Sequence, residues 1–383
     1  MTSRLSIICL WLSFIALLVF GVVMVASTGL SVPNPVGAPD PHFLPKQCLF
    51  AFLGLMGALW ISAVDYHKLR HWVLAMWLVC CFCLICCYLP GIGKTLNGES
   101  RWMNLGFLTF QPSELAKSVL MICMAHWYTT HREMAGTFWR GFAFPGAVIF
   151  GIPLVLILME KDMGTTAALA MSGFCLMYVG GVRSWLLLLA FLLGALALYL
   201  MTVSSDNRML RIEAWFDPQA FSQGAGRQQW IAMLAFARGG VFGVGLGDGI
   251  EKYGNLPFAH TDFIFAEIGE EWGFVGTISV LLLYTVLTFS GIVMALQTQD
   301  TFGRLLAVGL TCTIFWPAAL NMMVVTCILP NSGLPLPFIS YGGTNLFFTI
   351  LAIGLLTSIQ RHTPVVQQSY WPLRRRLEDP KLK

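Results

Sequence analysis

The chain has 383 residues, of which 57% are hydrophobic and only 11% are charged, and its formal net charge is +4. Its mean hydropathy is +0.72. A soluble domain carries roughly 25% charged residues, so this composition excludes an ordinary water-soluble protein. Repeated apolar runs of about 20 residues, the length that spans a bilayer as a helix, predict an all-α integral membrane protein. Membrane β-strands alternate apolar and polar residues, and these runs do not.

The apolar runs predict about ten transmembrane helices in one polytopic membrane domain that covers residues 1–383. The first run is longer than a signal-peptide core, and polar, proline-containing sequence follows it rather than a cleavage pattern, so we count it as a membrane helix. We place the ten helices near residues 5–27, 47–64, 72–90, 112–128, 142–159, 164–181, 185–203, 263–293, 302–328 and 343–360.

Basic residues orient these helices, because positive charge favours the cytoplasmic side. An even number of crossings puts both termini on one side. With cytoplasmic termini, the short outer segments hold only Lys46, Lys94, Arg101 and Lys161, and most other basic residues lie inside. We therefore predict that both termini are cytoplasmic and that residues 361–383 form a basic cytoplasmic tail, with Arg374, Arg375 and Arg376 at the anionic inner leaflet.

The same orientation makes residues 204–261 a long extracytoplasmic loop, which is much more charged than the rest of the chain. Loops of this length in a compact protein are usually functional or disordered. Its aromatic residues, such as Trp215 and Trp230, argue against disorder because they can pack on the membrane domain. Its glycine-rich string contains no GxGxxG fingerprint, and the chain has no Walker motif, so nothing supports nucleotide-driven transport.

Charges at membrane depth are costly, and they therefore indicate function or structural pairing. The first such cluster begins at Arg101-Trp102 and continues into residues 111–117, QPSELAK. Glu114 and Lys117 are spaced i,i+3 and can pair on one helix face. Two interpretations stay open: a buried structural ion pair, or the charged wall of a cavity for a polar substrate. A second cluster, residues 160–162, is expected to be an exposed turn at the outer interface.

The third cluster lies where the long loop returns to the membrane. Asp262 stands at the predicted helix entrance, and Glu267, Glu270 and Glu271 follow. Asp262 as a simple N-cap is the structural alternative, but four acids exceed what capping requires. Apolar neighbours raise the pKa of a carboxylate and nearby arginines lower it, so Asp262 is a candidate general base.

Three runs in these regions resemble signatures of the SEDS family (shape, elongation, division and sporulation). They are residues 111–117, QPSELAK; residues 260–266, HTDFIFA; and residues 334–343, LPLPFISYGG. The resemblance implies a ten-helix bacterial glycosyltransferase that polymerises lipid II into peptidoglycan strands with a class B penicillin-binding protein as partner. It also implies that Asp262 is the catalytic carboxylate and that Trp102, Glu114 and Lys117 support activity.

Within the family, residues 21–27, GVVMVAS, and residues 268–271, IGEE, resemble the division-type members more than the elongation-type members. This resemblance implies a role in septal synthesis at the inner membrane, with lipid II, the nascent glycan strand, the transpeptidase, other divisome proteins and membrane lipids as partners, and no nucleic acid. Two departures from the family pattern stand out. Cys327 occupies a position where relatives often have glycine, and Lys161 precedes Asp162 where proline is commoner.

A substrate with a lipid tail and a sugar–pyrophosphate head requires cations and polar groups near the outer surface. The implied substrate-binding residues, beyond those already named, are Arg208, Arg211, Arg238, His260, Ser340 and Tyr341. A divalent cation, Mg²⁺ or Mn²⁺, on the pyrophosphate fits this chemistry, although no metal-ligand cluster is identifiable. A lipid II flippase, an elongation-type polymerase and a division scaffold remain the alternatives.

Overall fold

Ten helical segments at the predicted positions form the membrane domain of the computed structural model, which describes residues 3–29, 43–96, 99–104, 106, 109–203, 206–253, 256 and 259–363. In chain order the α-helices are α1 Ser3–Gly29, α2 Phe43–Ala63, α3 Val73–Cys86, α4 Pro112–Thr130, α5 Ile152–Met159, α6 Met163–Val179, α7 Ser184–Val203, α8 Asp206–Phe216, α9 Arg227–Gly239, α10 Ile264–Glu271, α11 Gly273–Gln297, α12 Thr301–Val325 and α13 Gly343–His362. Two π-helical segments, Phe138–Ala143 and Pro145–Gly151, precede α5 and complete its crossing. The predicted all-α membrane fold is therefore confirmed.

Helix α12 lies inside the bundle, where it packs against α4, α6 and α11, while α2 pairs with α13 and α1 pairs with α11. The α2–α13 pair approaches closely at Gly354, because a Cβ there would stand 2.6 Å from the backbone of Ala58. Small residues allow this approach between membrane helices, whose association depends on van der Waals packing rather than on the hydrophobic effect.

The eighth predicted crossing, residues 263–293, is not one helix. It breaks between α10 and α11 at Gly273, which has φ +65°, and a Cβ at Gly273 would stand 2.4 Å from the backbone nitrogen of Gly243. The glycine-rich string of the long loop runs through this break. Val244 N donates to Glu270 O at 3.0 Å, and Phe274 N donates to Gly240 O at 2.9 Å. The loop backbone thus supplies partners for the interrupted helix, as non-helical backbone at a membrane requires.

The long loop is ordered where the structure describes it, and it carries α8 and α9. Gln229 Nε2 donates to Val324 O and Leu329 O, and Trp215 Nε1 donates to Cys327 O at 2.8 Å. These bonds fix the loop on the end of α12. Cys327 itself has φ +60°, a conformation that favours glycine, so a glycine would fit this position with less backbone strain.

A small antiparallel sheet between α3 and α4 was not predicted. Its strands are β1 Gly93–Leu96, β2 Glu99–Asn104 and β3 Thr109–Phe110, in the order β1-β2-β3. These segments are too short and too polar to resemble membrane strands, and their pairing is not visible as a long alternating pattern. The sheet leads directly into α4.

The opposite ends of the helices meet on the other membrane face. Tyr66 there shares hydrogen bonds with Asp300 Oδ2 and Thr363 Oγ1, both at 3.1 Å, and Ser358 Oγ donates to Val64 O at 2.6 Å. These contacts join the ends of α2 and α13 to the start of α12. Of the predicted tail, residues 364–383 lie outside the described residues.

Candidate active site

Asp262 lies directly before the fully buried helix α10, at the end of the bundle that carries the long loop. Its side chain is partly exposed, and Thr261 Oγ1 donates to its Oδ1 at 2.8 Å. The N-cap residue of α10 is Phe263, and no side-chain hydrogen bond caps this helix. The N-cap alternative for Asp262 is therefore wrong, which leaves its carboxylate available for other contacts.

Two neighbouring segments hold the backbone of residues 260–262. Asn321 Nδ2 of α12 donates to Asp262 O at 2.7 Å and to Leu334 O at 2.6 Å. Ser340 Oγ donates to Thr261 O at 2.5 Å, and Tyr341 N donates to His260 O at 2.9 Å. Ser340 is almost fully buried, so its hydroxyl serves the framework beneath Asp262. Residues of the motif LPLPFISYGG (334–343) thus hold the backbone at the start of the motif HTDFIFA (260–266).

An aromatic group borders the same segment. The ring of His260 stacks on Phe43 at the start of α2 with centroids 4.6 Å apart, and Tyr341 meets Phe43 edge-on at 4.7 Å. His260 and Tyr341 are both partly exposed. The structure thus brings the two predicted residues His260 and Tyr341 together near Asp262. Flat rings with polar groups at a partly open site can contact the faces of sugar rings.

Arg101 is a cation close to Asp262, although it is not among the substrate-binding residues expected from the sequence. Its Nη2 donates to Lys161 O at 2.8 Å, and its Nη1 lies 3.7 Å from Asp162 Oδ1. Burial raises the pKa of Asp262 to about 6, while the hydrogen bond from Thr261 and the charge of Arg101 act in the opposite direction. A carboxylate with this pKa is largely ionised at neutral pH and can still accept a proton.

The second charge cluster is not the exposed turn that the sequence predicted. Glu160 and Asp162 are 1% and 2% exposed. Asp162 Oδ1 accepts from Thr165 N at 3.1 Å and so caps α6, and it also faces Arg101. Lys161 adopts φ +63° between them. Arg101 of β2 and Gln111, which precedes α4, contact this turn from distant parts of the chain, and local sequence does not reveal these contacts.

Glu114 and Lys117 form a buried ion pair of 2.7 Å in the first turns of α4. The cavity beside them has a volume of about 10 Å³, room for roughly one water molecule. The two charges therefore neutralise each other in a closed environment. This geometry favours the structural interpretation over the charged wall of a substrate cavity.

The remaining predicted residues are dispersed. Trp102 is partly exposed on β2, opposite Lys94 of β1. Arg211 is exposed on α8. Arg208 belongs to the same helix, but its side chain lies outside the described part of the chain. Arg238 pairs with Glu270 at 3.6 Å. Arg211 and Arg238 thus lie on different helices, α8 and α9.

The acids of α10 attach the long loop to the bundle. Glu270 accepts from the backbone nitrogens of Ile250 and Glu251 at 2.9 and 3.2 Å. Glu271 Oε1 accepts from Lys252 Nζ at 2.5 Å and from Ser27 Oγ of α1 at 2.6 Å. Both carboxylates are buried. Asp262 is thus the acid of this cluster that the scaffold leaves accessible.

Among the described residues, no group of three or more His, Cys, Asp or Glu side chains could hold a metal ion. A divalent ion in this site would therefore need ligands from a substrate. Mg²⁺ is often held by one or two carboxylates together with substrate phosphates, and the partly exposed Asp262 is compatible with that role.

Three residues that shape this site, Arg101, Asp162 and Asn321, are absent from the predicted set. Arg101 and Asp162 stood inside charge clusters that the sequence already marked. Asn321 is a polar residue within the apolar run of α12, and such residues in membrane helices indicate function or pairing. That signal could have identified it.

Comparison with known proteins identifies the family of this chain. The family model FtsW/RodA/SpoVE, described as "Cell cycle protein", matches residues 7–364. A relative from Geobacter metallireducens, "Probable peptidoglycan glycosyltransferase FtsW", is 36% identical over 90% of this chain and 92% of its own length. A protein of the same name from Trichlorobacter lovleyi is 37% identical over 91% and 92%.

Solved structures agree with the sequence comparison. A chain of a peptidoglycan synthase complex that coordinates polymerization and crosslinking is similar with a TM-score of 0.75 and 27% identity, over 92% of this chain and 96% of that one. The rod shape determining protein RodA of Thermus thermophilus is similar with a TM-score of 0.68 and 26% identity, over 92% and 95%.

Proposed function

Because the chain belongs to the FtsW/RodA/SpoVE family of cell cycle proteins, we propose that it is a peptidoglycan glycosyltransferase that polymerises lipid II into glycan strands during septal cell-wall synthesis. The relatives named FtsW are 36–37% identical, whereas the RodA structure is 26% identical. This difference supports the division role over the elongation role.

The observation that carries the catalytic assignment is the environment of Asp262. The residue is partly exposed, its backbone is fixed by Asn321, and burial of its carboxyl group raises the pKa to about 6. A general base works best when its pKa lies near the operating pH. The other acids nearby, Glu270 and Glu271, already hold the loop.

Asp262 accepts the proton of the acceptor sugar's 4-hydroxyl group. The oxygen attacks the anomeric carbon of the growing strand, a C–O bond forms, and the bond to undecaprenyl pyrophosphate breaks with its electron pair on the leaving pyrophosphate. This displacement inverts the anomeric centre and requires no covalent enzyme intermediate. Arg101 is well placed to balance negative charge near the base, and His260 and Tyr341 offer ring surfaces to a sugar.

A Mg²⁺ or Mn²⁺ ion bound by the pyrophosphate of the substrate belongs to this proposal. Of the exposed arginines of the long loop, Arg238 would leave its partner Glu270 to bind the pyrophosphate, and Arg211 is exposed on α8. Trp102, on strand β2, is a further residue that contacts the substrate in this proposal.

The partner in this proposal is a class B penicillin-binding protein, which crosslinks the strands that this chain makes. The similarity to a chain of a synthase complex that couples polymerization with crosslinking supports it. Other divisome proteins assemble with the pair at the septum. Both termini face the cytoplasm in the inner membrane, which agrees with the excess of Lys and Arg on that side.

Polymerisation of fluorescent lipid II by the purified chain with its penicillin-binding partner tests the proposal. We expect Asp262→Asn to bind lipid II and to make no glycan strand. Glu133→Gln, a change of an exposed acid on the other membrane face, is the matched control and retains full activity. Undiminished glycan synthesis by the Asp262 variant, or lipid II movement across vesicles without polymerisation, would overturn the assignment.

A further inference from the structure

A cavity of about 260 Å³ lies on the membrane face opposite Asp262. It is enclosed by the end of α4, the turn after α6 and the start of α12. Arg132, Arg304, Thr301 and Gly181 are among the residues that line it. The catalytic proposal uses none of them.

The two arginines give this cavity its charge. No acidic residue lines it, and within the described ranges neither guanidinium group forms an ion pair or a hydrogen bond. Asp300, the N-cap residue of α12, is engaged elsewhere, because its Oδ2 accepts from Tyr66 Oη and from Gly303 N. Two unpaired arginines around one cavity favour an anion, and their planar donors match phosphate oxygens.

The backbone of the cavity adds to this preference. Thr301 opens the 25-residue helix α12, whose first turn carries partial positive charge. Gly181 has φ +99°, and at Gly136, across the cavity, a Cβ would meet nothing within 4 Å. These glycines leave the peptide groups and the arginines accessible to a ligand.

The lining also indicates what carries the anion. Val179 contributes apolar surface beside the arginines. Val179 and the neighbouring Tyr178 are 46% and 62% exposed where α6 leaves the membrane. A cavity with cations at its polar end and apolar side chains along the membrane suits an amphiphile. We propose that this cavity binds the phosphate group of an anionic membrane lipid, with the acyl chains against the adjoining helices.

Native mass spectrometry of the purified full chain tests this. The probes are phosphatidylglycerol, diacylglycerol as the matched lipid without phosphate, and inorganic phosphate. We expect retention of phosphatidylglycerol and not of diacylglycerol. Each charge-assisted contact is worth about tenfold in affinity, so Arg132→Gln with Arg304→Gln should reduce occupancy by roughly a hundredfold.

Arg140→Gln is the control, since Arg140 is exposed on the same membrane face and does not line the cavity. It should leave lipid retention unchanged. Both substituted arginines are at least partly exposed, so the double variant should fold, and its thermal unfolding checks this. Equal retention of phosphatidylglycerol by the folded double variant would overturn the proposal. Arginine-dependent binding of inorganic phosphate without retention of the lipid would overturn the lipid as its source.

Discussion

Replacing Lys252 by methionine should destabilise the outer half of the molecule. Its ammonium nitrogen lies 2.5 Å from Glu271 Oε1 and 2.9 Å from Ser27 Oγ, and the two charged side chains are 1% and 0% exposed. Methionine fills the same volume but leaves the Glu271 carboxylate buried without its counter-charge. Removal of one partner from a buried pair costs about 3–5 kcal/mol, so we expect a loss of stability in that range.

The loss should be local as well as global. Lys252 connects the long loop to α10 and α1, and α10 follows Asp262 directly. Loosening of α10 displaces the base from its substrate, and the rate constant for polymerisation should therefore fall more than the affinity for lipid II. Thermal unfolding in detergent measures the global loss of stability. Limited proteolysis of residues 240–253 measures the local loosening of the loop.

A double-variant cycle separates the pair from its parts. Lys252→Met with Glu271→Gln removes both charges and should recover much of the stability, because the uncompensated carboxylate is gone. Lys68→Met, at an exposed lysine of the opposite face, is the control and should change stability by less than about 0.5 kcal/mol. If Lys252→Met unfolds like the parent, or the double variant loses the full sum of both changes, the reasoning is refuted.

Three further outcomes concern the base. The polymerisation rate should rise about tenfold per pH unit below pH 6 and level off above it, because Asp262, with its pKa near 6, must be ionised to accept a proton; a flat profile from pH 5 to 7 contradicts this. In Arg101→Gln the acid limb should move to higher pH, since loss of the cation raises the pKa of Asp262, and an unshifted limb contradicts the contact. Asn321→Ala removes the bonds to Asp262 O and Leu334 O and should lower kcat about tenfold or more with little change in KM; a change in KM alone would place Asn321 in substrate binding instead.

The carboxylates at the end of the bundle that carries the long loop divide into two kinds. Glu270, Glu271 and Asp162 accept hydrogen bonds or pair with cations that belong to the scaffold. Asp262 accepts a hydrogen bond from the neighbouring Thr261 hydroxyl and stays partly exposed. Acidic residues at this membrane boundary thus either anchor the scaffold or remain accessible. The solvent exposure of each acid distinguishes the two kinds, whereas the number of acids in the sequence does not.

The sequence by itself determined the membrane character, the ten crossings and the position of Asp262 at the return of the long loop. Each of these depends on local composition: an apolar run must be long enough to cross a bilayer, and a charged segment must leave it. The resemblance of residues 260–266 to a known signature added the chemistry, and the site geometry is compatible with it.

Only the tertiary structure decided how the segments use one another. The break at Gly273 exists because the backbone of residues 240–245 fills it, and those residues are about 30 positions away in the chain. Glu160 and Asp162 read as an exposed turn because nothing nearby in sequence covers them, yet Arg101 and the sheet do. Burial and pairing are set by distant contacts, and these turned a row of similar acids into one partly exposed carboxylate and several structural anchors.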